Sequence, residues 1–188
     1  MKIQSNKYLR IAKLLESIFF PSKTIAYISA ILVYYLGLKI NDIVVILIGG
    51  IAYELAVLFM RRVTRNQNLV FGVSGMFSIV LFLAINAIIP VSKTLIASAL
   101  TLFFTTASML ILRQFWKASG HVATLTGALT VLVLIDLIFI PLVILIPLVA
   151  WSRIKVGAHT IKQVIMGFLV GVIVPLLTFP VFYDLVCG

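Results

Sequence analysis

Apolar residues run along this chain in long unbroken stretches, separated by short segments rich in lysine and arginine. The pattern predicts membrane spans at 24–38, 42–60, 69–89, 93–112, 119–137, 138–151 and 159–183. About 18 or more apolar residues suffice to cross a hydrocarbon core of roughly 30 Å. The first and sixth spans are short, and Pro141 and Pro147 interrupt the sixth, so the expected count is six to seven. Continuous rather than alternating apolar positions argue against a β-barrel.

The first twenty residues follow a different period. Ile3, Tyr8, Ile11, Leu14, Leu15, Ile18 and Phe19 fall on one helical side, and Lys2, Lys7, Arg10, Lys13 and Glu16 fall mostly on the other. That is the pattern of an amphipathic helix lying in a membrane interface, ended by Pro21. A short apolar region followed by a small-residue cleavage site does not stand out, which argues against a cleaved signal peptide. The expected fold is therefore an all-α, polytopic membrane bundle forming one domain over 1–188. Residues 1–22 form the interfacial helix and residues 24–183 the transmembrane bundle.

Composition agrees with this reading. A hydrophobic fraction of 63%, only 11% charged residues and a mean hydropathy of +1.24 lie far outside the range of soluble domains. The 188 residues leave no room for a separate soluble domain. A single cysteine, Cys187, excludes an internal disulfide and a cysteine metal cluster.

The net charge of +10 is distributed between spans, which points to anionic lipid or a phosphorylated substrate rather than nucleic acid. Alternating spans place Lys2, Lys7, Arg10, Lys13, Lys23, Arg61, Arg62, Arg65, Arg113, Lys117, Arg153, Lys155 and Lys162 on one side, and only Lys39 and Lys93 on the other. The positive-inside rule makes the crowded side cytoplasmic in a cell membrane.

Both histidines, His121 and His159, start predicted spans on that same side. An interfacial histidine can simply snorkel or cap a helix. The neighbours point further. Ser119-Gly120-His121 opens a helix, where free backbone N–H groups and the positive dipole end favour an anion. In "WSRIKVGAHTIKQ", Arg153 and His159 stand at the two ends of a short loop, and Arg153 can grip two phosphate oxygens. Gln163, four residues after His159, shares its helix face and can accept the imidazole N–H, fixing the tautomer. Together these groups form a phosphoryl-transfer constellation.

"SGH" at 119–121 and Ser152-Arg153, five residues, His159 resemble the second and third signature motifs of the phosphatidic-acid phosphatase type 2 superfamily. These are integral-membrane lipid phosphatases related to vanadium haloperoxidases and bacterial acid phosphatases. The resemblance covers roughly 61–183, and "HTIKQ" is similar to a subgroup of small prokaryotic members with glutamine in that place. It implies that His159 is a nucleophile forming a phosphohistidine and that His121 is the acid and base. It also implies that Arg153, Ser119 and the N–H of Gly120 hold phosphoryl oxygens, which agrees with what phosphoryl transfer requires of a site.

Two departures stand. Gln163 replaces the usual aspartate, and the first family motif, lysine, six residues, Arg-Pro, is absent because no proline here follows an arginine. Arg62, Arg65 and Lys117 are candidates to replace it, or are charges that only set topology.

Glu54 lies within the second span, as a functional carboxylate or one paired with a neighbour. Gly167 and Gly171 form a GxxxG assigned to close helix packing. "GVSG" at 72–75 sits too deep in a span to be a phosphate loop. The leading expectation is a metal- and cofactor-independent lipid phosphatase, cleaving a phosphate or pyrophosphate monoester of a polyprenyl lipid or glycerolipid. The alternatives are a weakly catalytic relative that binds phospholipid headgroups, and a transporter. Lipid phosphate and membrane lipids are the expected partners. The oligomeric state is left open.

Overall fold

The computed structural model describes residues 2–19, 21–35, 37 and 39–187. Leu38, the last residue of the first predicted span, and the side chains of Lys2, Ile3 and Lys23 lie outside the described residues. The described chain is all-helical: α1 (Lys2–Ile18), α2 (Pro21–Tyr35), α3 (Ile40–Val63), α4 (Gln67–Asn86), α5 (Lys93–Phe115), α6 (Gly120–Ile135), a 3-10 segment (Leu137–Ile144), α7 (Leu145–Lys155) and α8 (Ile161–Cys187). Among the described residues, five stretches are long and apolar enough to cross a membrane: Ile40–Val63, Leu69–Asn86, Lys93–Phe115, Leu137–Lys155 and Ile161–Cys187. Helix α6 is apolar but shorter.

Several boundaries differ from the sequence expectation. Helix α3 runs on to Val63, so Arg61 and Arg62 are helical rather than in a loop, and α5 continues past Arg113. The doubtful sixth span is a composite. Pro141 lacks the N–H an α-helix needs, and the chain there winds as a 3-10 helix before entering α7. Its eight 3-10 residues and eleven α residues each rise about 16 Å, roughly 32 Å together. The segment also ends later than expected, so Ser152 and Arg153 belong to the last turn of α7 and not to the following loop.

Helix α6 is the centre of the bundle. Val122, Ala123, Leu125, Thr126, Gly127, Ala128, Leu129, Val131 and Leu132 are buried on it, which is nearly all round the helix. It packs against α2, α5, α7, the 3-10 segment and, most extensively, α8. Glycines make that last contact possible. A Cβ on Gly167 would collide with the Ser119 carbonyl oxygen, and one on Gly171 would lie 2.7 Å from the Ala123 carbonyl oxygen. Membrane helices gain van der Waals contact by such close approach, since lipid tails are as apolar as leucine.

Helices α3, α4 and α5 follow as neighbours, while α1 rests on α7. At the bundle end away from the histidines, the buried Asp42 accepts from the N–H groups of Lys39 (2.9 Å) and Ser92 (2.6 Å). Asp136 accepts from the Ile138 N–H at 2.9 Å and from the Tyr35 hydroxyl. Glu54 stands exposed on α3, and Gly72 and Ser74 of "GVSG" are buried inside α4.

Candidate active site

The five-residue interval between Arg153 and His159 is a helix stop. Gly157 has φ +72°, the left-handed conformation that favours glycine. Its N–H donates to the Ile154 carbonyl at 3.0 Å, and the Ala158 N–H donates to the Arg153 carbonyl at 3.1 Å. That pair of bonds is a Schellman motif, which closes the free carbonyls of α7. The His159 N–H donates to the same Arg153 carbonyl at 3.2 Å. One residue thus supplies both a backbone anchor for His159 and a guanidinium beside it.

The next helix begins with a capping box. The Thr160 N–H donates to Gln163 Oε1 at 3.1 Å, and the Gln163 N–H donates to Thr160 Oγ1 at 3.4 Å. Because Thr160 offers a donor, Gln163 must present its carbonyl oxygen there. That oxygen also lies 3.3 Å from His159 Nδ1. An acceptor at Nδ1 favours the tautomer protonated on that nitrogen, leaving the Nε2 lone pair for chemistry. Gln163 therefore caps α8 and orients the imidazole at once, a capping role the four-residue spacing does not suggest.

The second histidine arrives on α6. Ser119 is its N-cap, wholly buried, and its N–H donates to the Gln163 carbonyl at 2.9 Å. The main chain thereby ties "SGH" to the start of α8. Ser119 Oγ has no partner among the described residues, so the hydroxyl remains available. First-turn amides of an α-helix lack intrahelical acceptors, which makes this end receptive to an anion.

The charges close to His121 are Arg153, Arg113 and the other histidine. Arg153 is buried at 7% exposure, bonds through Nη1 to Glu16 of α1, and has an Nε without a partner among the described residues. Arg113 is the residue that sequence reasoning misses as a site candidate. Its Nε donates to the Ala118 carbonyl at 3.3 Å, and its Nη2 fills the space a side chain on Gly120 would need. At a helix end, a basic residue looks like any topology-setting charge, and Gly120 at the first helical position is the one local sign of a neighbour. Lys117 is exposed but acts on His159. None of the charges felt at either histidine comes from Arg62 or Arg65, which stand exposed near the α3–α4 turn.

Burial holds the His159 imidazole well below its ordinary range, at about 4; Arg153 pushes the same way, Gln163 opposes, and Lys117 and Arg113 add to the lowering. His159 is therefore neutral at pH 7, the form that keeps a ring lone pair free. Between the ordinary imidazole value near 6.5 and about 4, the unfolded chain binds the proton that the folded chain refuses. The stabilising contribution is thus present above pH 6.5 and is lost as pH falls toward 4. Carbon-13 histidine NMR of the His121→Asn variant in micelles is expected to show His159 titrating near pH 4. A midpoint near 6.5 would mean that the ring is solvated rather than enclosed.

Among the described residues, no three His, Cys, Asp or Glu side chains gather as a metal ion would need. What does gather is two imidazoles, two arginines, a buried hydroxyl and a helix N-terminus at one end of the bundle. Comparison with protein-family models, curated proteins and solved structures finds no match, so the chemistry of the site rests on these residues alone.

Proposed function

We propose that the chain is an integral-membrane lipid phosphatase that hydrolyses a phosphate or pyrophosphate monoester through a phosphohistidine. The observation that carries this reading is Arg153, a buried guanidinium that stands beside two histidines and has an Nε with no partner among the described residues. Glu16 meets Arg153 through Nη1, which leaves Nε as a free donor, and a trigonal phosphoryl group needs donors around its equatorial oxygens. Ser119 Oγ, the Gly120 N–H and Arg113 complete that ring of donors. Arg113 takes the part for which Arg62 and Arg65 are candidates in the sequence.

In the reaction, His159 Nε2 attacks the terminal phosphorus, and the P–O bond to the lipid alkoxide, or to the lipid phosphate of a pyrophosphate, breaks. His121 gives its proton to the departing oxygen. A water molecule then attacks the phosphohistidine, returning its proton to His121 and releasing inorganic phosphate. Bound phosphate dianion favours the protonated form of His121 that the first step requires. The resemblance to the phosphatidic-acid phosphatase type 2 superfamily supports the same assignment. We further propose that seven segments cross the membrane, counting α2 and α6, that α1 lies in the interface, and that the basic end faces the cytoplasm.

A second reading, headgroup binding without turnover, is favoured by Gln163, which cannot neutralise an imidazolium as an aspartate would. The deciding experiment is phosphate release by detergent-purified protein, with chelator present. Its substrates are phosphatidate, phosphatidylglycerol phosphate, and polyprenyl mono- and diphosphates. Release from at least one is expected. Saturable binding without release would select the second reading, and neither would overturn both.

A further inference from the structure

Two of the groups assigned to phosphate and one imidazole nitrogen are closed off in this structure. Arg153 Nε, Ser119 Oγ and His121 Nε2 are all cut off from solvent. A phosphoryl group reaches them only after something moves.

The element resting on Arg153 is α1. It packs on α7, with Ala12 fully buried, and Glu16 pairs with Arg153 Nη1 while its own side chain remains 34% exposed. This contact links residues 137 positions apart, so it is a tertiary choice and not a local habit of the helix. Of the five acidic residues, Asp42 and Asp136 cap elements at the other end of the bundle, Asp184 is near the far end of α8, and Glu54 is exposed within α3. Glu16 is the carboxylate that meets the basic cluster. A carboxylate on a guanidinium takes up the N–H donors that a phosphate would use.

We infer that α1 is a lid and that Glu16, held on Arg153 Nη1, occupies one part of the phosphate grip, from which substrate phosphate must displace it. This rests on the reading of Arg153 as the phosphate grip. A closed lid lowers apparent affinity by the fraction of molecules that are open. Removing the carboxylate charge raises that fraction. By the same linkage, an anion bound at Arg153 releases α1.

The test uses orthovanadate and the full-length protein in detergent, followed by calorimetry. Wild type is expected to bind it, Glu16→Gln to bind roughly tenfold more tightly, and Arg153→Gln to lose binding. Equal or weaker binding by Glu16→Gln overturns the lid, because Glu16 then only positions the guanidinium. Absence of binding by both wild type and Glu16→Gln overturns the phosphate reading, and the lid with it.

Limited trypsin digestion of wild type keeps the question open to test if Glu16→Gln misfolds. Cleavage after the exposed Lys7, Arg10 and Lys13 is expected to accelerate several-fold at saturating orthovanadate. Cleavage unchanged or slowed by bound orthovanadate would overturn the lid.

Discussion

Phosphate release is expected to fall by a factor on the order of 10⁴ to 10⁶ when His159 becomes alanine, since nucleophile removal in a well-studied protease costs about that much. The covalent route divides one difficult displacement into two easier ones, and only a correctly oriented lone pair can open it. Under the proposed mechanism, three contacts hold His159 for this role. Its N–H is bound by the Arg153 carbonyl, its Nδ1 faces Gln163 Oε1, and the Schellman turn at Gly157 sets the distance to Arg153. The measurement is initial release rate, beside trapping of an acid-labile phosphoprotein from labelled lipid phosphate. Both signals are expected to vanish in the variant while folding, followed by melting temperature, persists. A His159→Ala protein releasing phosphate within tenfold of wild type would remove the phosphohistidine from the mechanism.

Gly167→Ala is the second large effect expected, and it touches no polar group. The added methyl meets a backbone oxygen, that of Ser119, which cannot swing aside as a side-chain tip can. Helices α6 and α8 must separate; Ser119-Gly120-His121 opens α6, and α8 carries Gln163, which faces His159. Overpacking of this kind costs about 1–3 kcal/mol, and a displacement of about 1 Å in a catalytic constellation can cost about 10² in rate. We expect kcat/KM to fall about 10²-fold with a lowered melting temperature. Gly49→Ala is the control, since a Cβ there meets nothing within 4 Å. Equal activity in the two variants would mean that the α6–α8 contact does not position the site.

The helical architecture is legible in the sequence because a backbone in lipid must satisfy its own hydrogen bonds, so long apolar runs become helices. The site is legible only in part. The approach of Gln163 to His159 follows from their spacing. That Arg153 is helical does not, although Gly157 four residues later is a readable stop signal once a left-handed residue is considered. Thr160 and Gln163 spell a capping box, a second role for a glutamine whose spacing already points to His159. The 3-10 winding at 137–144 is hidden because an apolar run bearing one proline reads the same for a kinked α-helix. Pairing of Glu16 with Arg153 has no local signature at all, because tertiary packing alone brings α1 onto α7.

The tie between Ser119 and Gln163 runs from main chain to main chain. Side-chain replacement at either position leaves donor and acceptor in place, with proline at 119 the exception because it carries no N–H. Registry between the two halves of the site is thus inherited from the backbone and survives mutation at both positions. Such a scaffold holds the start of α6 against the start of α8 whatever side chain stands at 163, while the orientation of the His159 ring still depends on that side chain.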